Sequence, residues 1–191
     1  FRLKSPSAKE EASLDLFVSA FTKHFGTELD YLNSVGLTVR ISNDAGDLVI
    51  TSAGNSKASL SALTWVVNEF FKFKPTVEEV EQAKLRTLHS FRSSHDEFTA
   101  KISNQVAKEL LNKNRFLEKD YLLALESLTR KEVNHVVNRK LKRANIVASF
   151  DGEYNSLQVL EVLKNLRKKV SLPLTAKQTK QNDRSGVLIR D

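Results

Sequence analysis

The sequence predicts an α+β domain: a mainly antiparallel sheet with helices packed on one face. Three observations predict it. The stretch Val35 to Asn55 alternates apolar and polar residues on both sides of a turn-forming cluster. Most of the remaining chain carries apolar residues at helical spacing. Strands and helices do not alternate one for one, which argues against a parallel sheet built from crossovers. The 191 residues favour a single domain with room for an arm. A chain of this size can bury about 70% of its unfolded surface, so its core needs no staples.

The hairpin is the clearest element. In its first arm Leu37, Val39 and Ile41 alternate with Thr38, Arg40 and Ser42. In its second arm Leu48 and Ile50 alternate with Val49 and Thr51. Period two points one face of each arm at a core and leaves the other polar. Between the arms lie Asn43, Asp44, Ala45, Gly46 and Asp47, and Asn, Asp and Gly tolerate the left-handed backbone of a tight reversal. The surrounding helices need a sheet to lie on, and this hairpin is read as its centre.

From the beginning of the chain, Phe1 to Lys4 alternates apolar and basic residues and reads as the second half of a strand ended by Pro6. The start without Met reads as a segment of a longer protein. Ser7 and Glu10 form a capping box, in which hydroxyl and carboxylate each satisfy a free backbone N–H. The helix that follows carries Leu14, Phe17, Val18, Phe21 and Phe25 in one stripe, and Gly26 interrupts it. Thr27 to Asn33 reads as a short further helix, and Gly36 marks the start of the hairpin.

After the hairpin, Asn55 or Ser56 caps a helix through Phe73. Leu60, Leu63, Val67 and Phe70 lie on one side, and Trp65 and Phe71 widen that face. Pro75 stops it by disfavouring helix at Lys74. A second capping box, Thr76 and Glu79, starts a helix to about Arg92. The run Ser93 to Asp96 breaks it, and Ser94 with Glu97 caps a helix to about Lys113, with Phe98, Ile102, Val106, Leu110 and Leu111 inward. Asn112 to Asn114 reads as a loop. Two short helices follow, Glu118 to Glu126 and Arg130 to Leu141, the second capped by Thr129 and Glu132. Ile146 to Phe150 reads as a buried strand. Asn155 or Ser156 caps a last helix bearing Leu157, Leu160, Leu163 and Leu166. These elements make residues 1–170 one unit. Residues 171–191 read as a basic linker, with Gly186 to Arg190 beginning a strand that belongs to something further on.

The formal net charge of +7 is uneven, because Arg167 to Asp191 holds seven Lys/Arg against two Asp. A basic tail is a weaker nucleic-acid signal than a basic groove, and a solvated terminal segment accounts for it. The absence of cysteine excludes disulfides and thiolate metal sites, which fits the cytosol or a periplasm equally. No apolar run approaches the roughly 20 residues that span a bilayer, and no signal peptide is evident.

Most catalytic arrangements are absent from the sequence. There is no thiol nucleophile, no phosphate-binding glycine loop, no His-Glu-x-x-His and no His-x-x-Glu-His. His24 and Glu28 share a helical spacing, but Gly26 lies between them and no second His is near, so an exposed ion pair is the expectation. His89 and His95 fall on either side of the Ser93–Ser94 break, and His135 reads as a boundary residue beside Val136 and Val137. The acidic groups Glu10–Glu11, Glu78–Glu79–Glu81 and Asp96–Glu97 sit at helix N-termini, where they complement the dipole. Acid–base catalysis would need a buried carboxylate, and none is visible. Arg139, Lys140, Lys142 and Arg143, and then Arg167, Lys168 and Lys169, end helices, with no aromatic residues interleaved as stacking platforms. No catalytic, metal-ligating or substrate-binding residue is assigned from the residues alone.

The order of elements resembles the insulinase (pitrilysin, inverzincin) family of zinc metallopeptidases, and in particular a non-catalytic repeat of its four-domain members. The stretches that carry the likeness are Leu29 to Gly54, Pro75 to Arg92, Leu125 to Val137 and Val147 to Tyr154. It covers residues 1–170 and rests on apolar spacing rather than on invariant residues. The resemblance implies the metallopeptidase-repeat fold of that family. The family's zinc is held by His-x-x-Glu-His and a downstream Glu in the first repeat, and this chain has no such motif, so no catalytic or metal role carries over. The fourth repeat carries an Arg and a Tyr that help to hold substrate, at positions where this chain has Asp30 and Leu37. Their absence points to the third repeat, a wall of a closed, hinged peptide-degrading chamber.

The resemblance therefore implies no cofactor in this segment and zinc in the catalytic domain of a parent zinc metalloendopeptidase. The implied partners are other domains of the same chain and peptide substrates of the parent, with no nucleic acid and no membrane. A bacterial parent would be periplasmic. A catalytically dead scaffold subunit of the same fold is the alternative, and a basic nucleic-acid-binding module, motivated only by charge, is the third.

Overall fold

The computed structural model describes residues 7–44, 46–95, 118–142, 144 and 146–170. Seven helices and one antiparallel hairpin make up these residues, an α+β architecture dominated by helix. The helices are α1 (Ala8–His24), α2 (Gly26–Ser34), α3 (Ser56–Lys72), α4 (Val77–His95), α5 (Glu118–Ser127), α6 (Arg130–Leu141) and α7 (Ser156–Lys169). The strands are β1 (Thr38–Asp44) and β2 (Asp47–Ala53). The expected strands at Phe1 to Lys4 and Gly186 to Arg190, the expected helix bearing Phe98 to Leu111, its cap at Glu97, and the basic tail lie outside the described residues.

The hairpin forms as its alternation predicts. Val39 faces Ser52, Ile41 faces Ile50, and Asn43 faces Leu48, so the buried positions of both arms share one face. Leu48, Val39 and Leu37 are buried, while Val49 points outward. At the turn Gly46 takes a positive φ of 88°, and the Asn43 side-chain oxygen accepts from its N–H at 2.9 Å. Among the described residues, however, the hairpin is not the centre of a larger sheet, because the sheet has two strands only.

Helix α1 takes the central place instead. Ala12, Ser13, Leu14, Leu16, Phe17, Val18, Ala20 and Phe21 are all buried, which is burial around most of the circumference rather than along one stripe. The expected stripe is contained in this set. Leu16 and Ala20 extend it to a second side, because α4, α5, α6 and β1 all pack on α1. Phe17 and Phe21 each meet Phe70 at 5.0 Å and Phe73 at 5.4 Å between ring centroids. The tilted and edge-on geometries suit the ring quadrupoles, each pair contributing about 0.5–1.5 kcal/mol beyond burial.

Helix α3 lies between two clusters. Ala62, Val66 and Phe70 face the main core, while Leu60 and Val67 meet Val162 and Leu166 of α7. On α7 the expected leucines divide between two faces. Leu157 is 75% exposed and Leu160 is exposed, whereas Val162 and Leu166 are buried and Val159 and Leu163 lie beside them. The helix carries two overlapping apolar periodicities, and contact with α3 selects the one through Val162.

Three further expectations change. The break after α1 falls at Phe25 (φ −96°, ψ 22°) rather than at Gly26, which opens α2. Helix α4 continues through Ser93 and Ser94 to His95. Ile146 to Phe150 is neither a strand nor buried: it forms no ladder, and Val147 is 77% exposed. Ile146 and Phe150 anchor that stretch on the α3–α7 cluster, and a cleft separates it from β2.

The base of the hairpin gives a test. Gly54 has φ 137°, and a Cβ there would lie 2.7 Å from Leu37 Cδ2 and 2.8 Å from the Gly36 carbonyl oxygen. Gly26 has nothing within 4 Å of an added Cβ. Chemical denaturation is expected to show that Gly54→Ala destabilises the domain by more than about 1 kcal/mol, whereas Gly26→Ala is neutral or stabilises by up to about 1 kcal/mol. Equal effects at the two positions would contradict the close approach of Gly54 to Gly36 and Leu37.

Candidate functional site

Among the described residues, surface concavities and one half-buried polar group are places where chemistry or binding could reside. The first concavity is a cleft of about 330 Å³ between β2 and the extended stretch 146–150. Ile50, Leu63, Val67 and Leu166 line it, so apolar side chains from three elements meet there. The second, of about 550 Å³, lies where α2 and α3 face each other, with Leu32, Leu37, Ala58, Ala62 and Trp65 on its walls. Leu37 is buried there and its N–H donates to the Leu32 carbonyl at 2.9 Å. Asp30, the other position singled out by the resemblance, is exposed on α2. Leu37 is therefore a packing residue at the root of the hairpin, and it presents no polar group for holding a ligand.

The half-buried polar group centres on Asp15 of α1. Its Oδ2 accepts from the Tyr121 hydroxyl at 2.6 Å and its Oδ1 from the Asn43 side-chain amide at 2.8 Å. Asn43 also donates to the Glu11 carbonyl at 3.3 Å, so one carboxylate ties together α1, α5 and the hairpin tip. Burial pushes the Asp15 carboxyl above its ordinary value, and the bonds from Tyr121 and Asn43 offset only part of that rise. Tyr121 is raised as well, by burial first and then by the negative charge of Asp15. The sequence reading missed this half-buried carboxylate. Its signal was a lone Asp between Leu14 and Phe17, inside an apolar stripe, where a solvated carboxylate has no place. Both carboxylate oxygens are engaged and neither concavity is lined by Asp15. The arrangement fixes three elements.

The histidines are placed differently from their sequence spacing. His24 ends α1, and the turn at Phe25 carries Glu28 onto a separate helix. The expected His24–Glu28 pair is replaced by His24 Nδ1 against Glu79 Oε1 at 2.7 Å, while the ring packs against Phe25 and Phe73. His89 and His95 both fall within the span of α4. His135 is exposed beside buried Val136 and Val137, as a boundary residue should be. Among the described residues no three His, Asp or Glu side chains gather where a metal ion could sit. No described helix is long and apolar enough to cross a membrane.

The charged helix ends are built into the scaffold. Glu10, Glu79 and Glu132 each close a reciprocal capping box, with Ser7, Thr76 and Thr129 respectively. Each also meets a cation or a histidine from elsewhere. Lys140 reaches Glu10 at 2.6 Å and Arg139 reaches it at 3.3 Å, while Lys9 reaches Glu132 at 2.6 Å. Burial alone would raise Glu10, but Lys140, the Ser7 N–H and Arg139 together hold it below its ordinary value. In Glu79 the Thr76 N–H and His24 likewise outweigh burial. Glu132 is held down to about 2, by Lys9 first and then by Thr129. Of the basic groups at helix ends, Arg143 lies outside the described residues. Lys169 sits over the Phe71 ring at 5.7 Å, an aromatic partner from α3 that no local sequence window contains.

No family model matches the chain, and no curated protein matches it in sequence.

These groups carry opposite pH signatures. A carboxyl depressed in the folded state contributes stability above its unfolded value and loses it as pH falls through the folded value. For Glu132 that window runs from about 4.5 down to about 2, and Glu10 and Glu79 act in the same sense. Thermal melting followed by circular dichroism should therefore fall steeply across this window. Glu132→Gln should flatten the fall, and an unchanged slope would count against the Lys9–Thr129–Glu132 arrangement.

Asp15 is raised, so its contribution is fully present below its unfolded value and is lost as pH rises through the folded one. Tyr121→Phe leaves that half-buried charge with one donor fewer, and the expected cost at neutral pH is about 1–3 kcal/mol by urea denaturation. The cost should shrink in acid, where Asp15 is neutral. A penalty independent of pH would mean that the hydroxyl matters only for packing.

Proposed function

We propose that this domain is a non-catalytic repeat of the insulinase family, most similar to the third repeat of its four-domain members. In this reading it forms wall and interdomain interface of a chamber that encloses peptides. Zinc and the hydrolytic chemistry belong to another domain of the parent chain. What supports the reading is the order of elements around the hairpin: a long buried helix, a short helix, an antiparallel hairpin packed on the long one, a series of helices, an extended stretch and a final helix. The finer description, a metallopeptidase-repeat fold, belongs to the same proposal.

The residues at the hairpin are consistent with a supporting role. Leu37 is buried against its neighbours and Asp30 faces solvent, so neither supplies the side chain with which the fourth repeat holds substrate. Several charged groups on the described surface are engaged in capping and in ties between helices. Such a scaffold suits a surface that positions other domains.

Purified, tag-free chain should contain well under one zinc per molecule by elemental analysis and should leave a fluorogenic peptide uncleaved. One zinc per chain surviving dialysis, or peptide cleavage that a chelator abolishes, would overturn the assignment. The coding sequence that flanks this segment separates the two versions of the fold. A His-x-x-Glu-His upstream makes the parent a peptidase, and its absence makes the parent a dead scaffold subunit.

A further inference from the structure

We draw no further inference here: the strongest candidate, the apolar cleft of about 330 Å³ between β2 and the extended stretch 146–150, carries nothing because no described residue shows what covers it.

Discussion

The burial of α1 on most of its sides is the constraint on which the other elements depend. Phe17 and Phe21 are almost wholly excluded from solvent, and each touches both Phe70 and Phe73. Those two residues belong to the end of α3 and the linker that follows it. The same cluster therefore sets where α3 stops and where α4 begins. Pro75 is buried in that linker, and its carbonyl accepts from Arg130 Nε of α6 at 2.8 Å. Removing one of the central Phe side chains would leave a cavity among four elements. Substitutions of that kind cost about 3–5 kcal/mol, a large share of the stability of any single domain.

Around this apolar centre the polar interactions divide into two kinds. The first is a rim of capping glutamates, each tied to its own helix and to a cation or histidine on another. Such exposed pairs contribute little singly, but they set the register between helices already held by the core. The second is Asp15, which is half-buried among Tyr121, Asn43 and the α1 backbone. There the cost of removing charge from water dominates, and the donors compensate for it only in part. The rim is strengthened above the carboxylate range, whereas the half-buried node is favoured below it.

Much of the local structure was legible in the sequence because its causes are local. The Ser7/Glu10, Thr76/Glu79 and Thr129/Glu132 boxes cap the helices they predicted, and the hairpin pairs as its alternation required. Where two local patterns competed, the sequence could not choose between them. The apolar residues of α7 permit a face through Leu157 and Leu160 or one through Val162 and Leu166, and contact with α3 selects the second. Ile146 to Phe150 has a strand-like composition, but strand formation requires a neighbour at ladder distance, and β2 stands across a cleft. The candidate-site residues were less legible still. His24 was paired with Glu28 by spacing, and a turn of one residue at Phe25 sent it to Glu79. Asp15 had no sequence partner, because Asn43 and Tyr121 lie 28 and 106 positions away.

The sequence by itself determined the α+β class, the hairpin and its inward face, the helix starts marked by capping boxes, and the absence of cysteine chemistry or a zinc-binding motif. These follow from short-range sterics, backbone hydrogen bonding and composition. Only the tertiary structure decided that α1 rather than the hairpin is the hub, which face of α7 is buried, and that a carboxylate lies half-buried. Each of these depends on packing between segments distant in the chain. Burial of apolar area and the desolvation of charge are set there by the whole set of neighbours, which no local window contains.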